Sequence, residues 1–166
     1  WRTSPTAVKS SALSDRALAL DSRCAEAYAS LGLNLQLGWQ DEAATQAYRR
    51  AIELNPNYAT AHQWLGLSFV GEGRMDEALS ELRQAAELDP ISHRILTDFA
   101  LVLNFAGRPN EALALTRRAL AIQPDAVQAV LREARALALL GRPLEAAARV
   151  AKAETRGLDG RMRVEA

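Results

Sequence analysis

Several things are scarce in these 166 residues. Cys24 is the only cysteine, so the chain cannot close a disulfide on itself and its redox compartment stays open. Aromatic residues make up 5% against 49% hydrophobic overall, so any core must be built mainly from Ala and Leu. Val, Ile and Thr are too scattered to make strands, and the Ala/Leu bias favours helices. No apolar run approaches the roughly 18 residues a membrane helix needs. No secretory signal pattern is visible, and the chain begins at Trp1, not Met, which reads as a segment of a longer protein. A surplus of one charge is missing too: 20 basic and 20 acidic groups cancel, whereas nucleic-acid binders carry a basic excess. The cancellation is uneven. Residues 1–107 hold 9 basic and 13 acidic groups, residues 108–166 hold 11 and 7. Such a gradient can steer a partner or favour head-to-tail association, though a solvated surface explains it as well. Lysine is nearly absent beside arginine, which points to a GC-rich bacterial coding sequence, not to chemistry.

What is present is a beat of 34 residues. Pro56, Pro90 and Pro124 each follow a similar apolar run. With those prolines set at slot 32, the units are 25–58, 59–92, 93–126 and 127–160. Slot 8 then reads Gly32, Gly66, Ala100, Ala134, and slot 20 reads Ala44, Ala78, Ala112, Ala146. Slot 27 is Ala51, Ala85, Ala119, Ala153; slot 11 is Leu35, Phe69, Leu103, Leu137. Small residues at 8, 20 and 27 with large ones at 7, 11 and 24 describe two helices packed closely. A bulky side chain at a small slot would overpack by about 1–3 kcal/mol.

The phrases "AYASLGLNL", "DEAL", "AIELNP" and "ALAIQP" resemble the tetratricopeptide repeat (TPR), and the resemblance covers residues 25–160. It implies an all-α fold: antiparallel helix pairs stacked as a right-handed α-α superhelix of about nine helices. These are expected near 5–20, 24–37, 41–54, 59–71, 75–88, 93–106, 109–122, 127–140 and 143–156. Residues 1–24 supply the second helix of a truncated leading repeat, since "RALALDS" copies "RAIELNP" with Ser22 in the proline slot and Ser4-Pro5 as N-cap and N1. Residues 157–166 read as a fraying tail, with 161–166 beyond the last helix pair. No polar capping helix follows the last unit, so both solenoid ends are candidates for homodimer contacts.

Local signals agree with the helix pairs. Gly107 and Gly141 suit the left-handed position past a helix end, and Pro109 and Pro143 suit N1, with Glu111 and Glu145 in the first turn. Pro56, Pro90 and Pro124 stop the helices before them. Two departures stand out. Gly38 closes its helix one residue early and Trp39 fills the usual glycine slot, so that turn should differ and its second helix should start about one residue early. Glu133 occupies slot 7, apolar in the other units, so it should either pair with a neighbouring Arg or loosen the last repeat.

Catalytic groups do not converge in the sequence. His62 and His93 lie 31 residues apart without ligand-type spacing to other His, Cys or carboxylates. His62 replaces an aromatic packing residue, and His93 is expected near an exposed turn. Cys24 has no nearby His and reads as a turn residue. "GEGRMDEAL" lacks the Gly-Lys-Ser/Thr ending of a phosphate loop. The expectation is no enzyme, no metal and no cofactor.

A surface remains. The TPR resemblance implies that the first helix of each pair lines a concave groove, through slots 2, 5, 6, 9, 12 and 13. There the chain places an apolar centre, Leu33, Leu67, Leu101, Phe105 and Trp64, among Gln63, Arg94, Asp98, Asn104 and Arg132. An apolar centre with a polar rim suits a protein or peptide partner, either extended or helical. TPR domains that clamp the C-terminal carboxylate of chaperones need Lys, Asn and Arg where this chain has Ala29, Leu33, Trp64 and Asp98, with only Arg94 fitting, so that ligand is excluded. "LNPNYATAHQW", with Trp39 before it, further resembles TPR segments joined in bacteria to winged-helix or adenylate cyclase-type domains. The resemblance implies the partner-binding part of a bacterial regulator, with self-association as the alternative role. It gives this segment no direct nucleic-acid contact and no membrane insertion. The expected location is the cytoplasm, or the periplasm if the full-length protein carries a membrane span.

Overall fold

A computed structural model describes Asp21 and residues 23–164. Among them every regular element is a helix. We number these α1 (Ala25–Leu37), α2 (Asp41–Leu54), α3 (Ala59–Gly71), α4 (Met75–Leu88), α5 (His93–Phe105), α6 (Pro109–Ile122), α7 (Val127–Leu139) and α8 (Pro143–Val164). The helix expected over 5–20, with its Ser4-Pro5 cap, lies outside the described residues. The chain divides into two compact units, Trp1–Asp89 and Pro90–Ala166.

In the first unit, α1 packs on α2 and α3 on α4. The small slots are where the helices approach. A Cβ added at Gly32 would lie 2.5 Å from the Tyr48 ring, and Tyr48 is itself fully buried. At Gly66 an added Cβ would meet Leu82 at 2.9 Å and the Ala78 carbonyl at 3.1 Å. Ala44, Ala51, Ala78 and Ala85 are closed to solvent. Burial holds the Tyr48 hydroxyl well above its ordinary range, and the hydroxyl donates to Gln36 Oε1 at 3.0 Å.

In the second unit α6 packs against both α5 and α7, and α7 against α8. Ile95, Leu96, Val102 and Leu103 of α5 are the largest side chains closed to solvent among its described residues. Buried Glu133 on α7 is met by Arg149 of α8, with Arg117 of α6 at 3.7 Å. Of the two expectations for Glu133, pairing with arginine is therefore the one observed.

The turn at Trp39 corrects the sequence reading. Trp39 adopts φ 60°, the left-handed conformation that Gly73, Gly107 and Gly141 adopt at φ 71–75°. All four turns carry the same pair of backbone hydrogen bonds. In the first, Gln40 N–H donates to Leu35 O and Trp39 N–H to Gln36 O, both at 3.0 Å. This is the Schellman closure of a helix end. α2 starts two residues after Trp39, as α4, α6 and α8 start two residues after their glycines, so it is not early. The closing hydrogen bonds outweigh the steric cost of a left-handed tryptophan, about 1–2 kcal/mol.

The C-terminal tail is also corrected. α8 runs on to Val164, through most of the residues read as fraying. Leu158 stands where the earlier units have proline, so no missing donor or fixed φ interrupts the helix.

Candidate partner-binding faces

The residues expected to line a groove fall on both units. On the first unit, Leu33 lies on α1 and Gln63, Trp64 and Leu67 on α3. Leu33 is at the margin of exposure at 36%, Leu67 and Trp64 are half-buried, and Gln63 is buried. Trp64 packs beside the buried Ala29, Ala51 and Ala61, and its ring centre lies 6.0 Å from that of Tyr48 at a tilt of 52°. Much of this indole is therefore spent on the fold. Leu37, one helical turn beyond Leu33, is 63% exposed and extends the apolar face.

On the second unit, α5 carries Arg94, Asp98, Leu101 and Phe105 at spacings of 4, 3 and 4 residues, which is one helical face. Two contacts tie this face to α7. Asn104 Nδ2 donates to the Arg132 carbonyl at 3.1 Å, and the Arg135 guanidinium lies 4.7 Å over the Phe105 ring. Phe105, Leu131 and Leu139 are 49%, 41% and 52% exposed. Asn104 is buried, Arg94 and Arg135 are exposed, and Arg132, Asp98 and Leu101 are half-buried. Asn104 Oδ1 and Arg132 Nε are shut from solvent without a hydrogen-bond partner among the described residues. Arg135, Leu131 and Leu139 were not singled out from the sequence. The signal was available, because they occupy groove slots of the last repeat.

Away from the inner faces, three arginines fork carboxylates within their own turns. Arg74 forks Glu77, Arg108 forks Glu111 and Arg142 forks Glu145, each at the start of a second helix. Hydrogen bonding to these guanidiniums holds the Glu77 and Glu145 carboxyls below their usual range.

Of His62, Cys24 and His93, the first is fully engaged in the fold. His62 is buried, with Nε2 3.0 Å from the Pro56 carbonyl and Nδ1 2.6 Å from Glu81 Oε2. Both ring nitrogens are used inside the fold, as the packing reading requires. Cys24 sits at the N-cap position of α1, its thiol 3.6 Å from Glu26 Oε2. His93 opens α5, whose N-cap Ser92 accepts from Ile95 N–H at 3.4 Å. No cluster of three His, Cys, Asp or Glu positioned to hold a metal occurs among the described residues. No described helix is long and apolar enough to cross a membrane.

Helix pairs closed by one recurrent turn, with small residues at fixed contacts, define a helical-repeat protein. A TPR repeat model matches residues 40–73, and tetratricopeptide repeat models match residues 59–92 and 97–159. The chain belongs to the tetratricopeptide-repeat family. Its all-α fold is shared with MamA at a TM-score of 0.77, with 19% identity over 90% of this chain and 87% of that one. YrrB, described as a TPR protein with an unusual peptide-binding site, aligns at 0.70, with 23% identity over 89% and 76%. A further structure, MamA MSR-1 C2, aligns at 0.67, with 25% identity over 83% and 78%. No curated protein matches the chain.

Proposed function

We propose that the chain is a non-catalytic protein-interaction scaffold, made of the four repeats over residues 25–160, that holds a peptide or helical segment of a partner protein on its inner helix faces. The observation that carries this reading is the face of α5 and α7, where Phe105, Leu131 and Leu139 remain substantially exposed among arginines. Large apolar side chains ringed by polar ones are the anatomy of an interface centre. The peptide-binding site ascribed to YrrB, a protein of the same fold, is in keeping with it. The regulatory setting follows from the resemblance of "LNPNYATAHQW" and Trp39 to bacterial regulator segments. In that setting the chain is the partner-sensing part of a larger protein, in the cytoplasm.

The test is affinity capture by the wild-type chain, by Phe105→Ser/Leu139→Ser, and by Leu144→Ser as a control. Leu144 is 85% exposed on α8. Circular dichroism establishes that all three are folded. The reading expects a protein retained by wild type and the control but lost by the inner-face variant. Equal retention by all three removes it. If the captured protein is the chain itself, with a concentration-dependent mass in sedimentation, self-association takes its place.

A further inference from the structure

Among the described side chains, the arginines of the second unit separate into two groups. Arg108 and Arg142 fork carboxylates at helix starts, Arg117 and Arg149 face Glu133, and Arg118 donates to the Pro90 carbonyl at 3.3 Å. These lie on α6, on α8 or just before them. The arginines of α5 and α7 are Arg94, Arg132 and Arg135, and none makes an ion pair with the described residues. They share their face with exposed Phe105, Leu131 and Leu139, while Asp98 is the one carboxylate at the groove slots of these two helices. The corresponding residues of the first unit, Leu33, Gln63, Trp64 and Leu67, are all uncharged.

We propose that the α5/α7 face recognises an acidic amphipathic segment of a protein partner, its apolar side chains against Phe105, Leu131 and Leu139 and its carboxylates against Arg94 and Arg135. This rests on the scaffold reading and adds the chemistry of the partner. Charge complementarity selects the occupant. Guanidiniums that make no ion pair among the described residues can form charge-assisted hydrogen bonds with incoming carboxylates, and with three arginines against one aspartate a basic segment would meet like charges. Arg132 adds to the preference. Its buried Nε lacks an acceptor among the described residues, an arrangement that costs free energy in the unbound chain, and a carboxylate that draws the guanidinium outward replaces it with a charge-assisted bond. Of the apolar side chains on this face only Phe105 is aromatic, and the aliphatic Leu131 and Leu139 offer no ring for successive bases to stack on, which argues against a single-stranded nucleic acid as ligand.

The experiment is fluorescence anisotropy of the full chain with three labelled amphipathic peptides. They share one Leu/Phe pattern and carry Glu, Gln or Lys at every polar position. A labelled single-stranded oligonucleotide is the fourth probe. The Glu peptide should bind tightest and the Lys peptide weakest, and the Glu peptide should weaken as salt is raised. Arg94→Gln/Arg135→Gln should cost the Glu peptide about tenfold in affinity and leave the Gln peptide unchanged. Arg94→Lys/Arg135→Lys, which keeps the charge, should retain the order of the three peptides. Equal binding of the Glu and Gln peptides overturns the acidic partner and leaves the scaffold reading standing. Absence of binding by every peptide overturns both. Tighter binding of the oligonucleotide overturns the proposal in favour of nucleic acid.

Discussion

The two units solve one packing problem with opposite choices. In the first, slot 8 is glycine and slot 24 is large, as Gly32 with Tyr48 and Gly66 with Leu82. In the second, the same register holds Ala100 with Thr116 and Ala134 with Val150. Side-chain volume is exchanged across the contact, so the helix-pair plan survives while composition drifts. The inner faces differ in another way. The first unit presents leucines and a tryptophan partly consumed by packing; the second presents exposed apolar residues among arginines that make no ion pair with the described residues. The buried slots set the scaffold, and the first-helix faces, which the plan leaves free, set what it can hold.

The largest expected effect concerns the buried carboxylate of the second unit. Arg149→Ala leaves Glu133 with only the distant, exposed Arg117, and should cost about 3 kcal/mol in urea unfolding. Glu133→Leu, which restores the apolar residue of the other units, should be neutral or stabilising. A loss for Glu133→Leu as large as that for Arg149→Ala would show that the charge pair itself holds α7 to α8. A smaller effect tests the volume exchange. Gly32→Ala should cost about 2 kcal/mol, because fully buried Tyr48 has little room to move aside. Gly32→Ala/Tyr48→Thr, which copies Ala100 with Thr116, should cost less than the sum of the single changes. Strict additivity would mean the two positions are independent. The smallest effect is at the turn. Trp39→Gly should raise stability by about 1 kcal/mol by relieving the left-handed backbone, read as a higher urea midpoint with an unchanged slope.

Much of the fold was legible because a 34-residue register repeats the same physical constraint in each unit. Helix ends fall within a residue of expectation wherever proline or a closing glycine marks them. Trp39 was misjudged because local preference was weighed alone: tryptophan resists φ 60°, but two backbone hydrogen bonds hold it there. The extension of α8 goes against the reading of 157–166 as a fraying tail, because Gly157 and Gly160 keep their backbone donors, and only a proline would have removed one. For the candidate faces, slot position showed which residues face inward but not how deeply neighbours cover them. Trp64 belongs to the expected apolar centre, yet Tyr48 and the alanine cluster take much of its surface. Arg135 was passed over, and its stacking on Phe105 needs two helices in place before it can be seen.

The central claim is that a partner segment lies on the α5/α7 face. The most direct measurement places a photo-crosslinking amino acid at position 105 or 139, and at 39 or 144 as exposed controls, then irradiates the chain with its captured partner. The account predicts covalent adducts from 105 and 139 and none from 39 and 144. Adducts confined to 39 or 144 would contradict it and move the interaction to the turn of the first unit or the outer surface of α8.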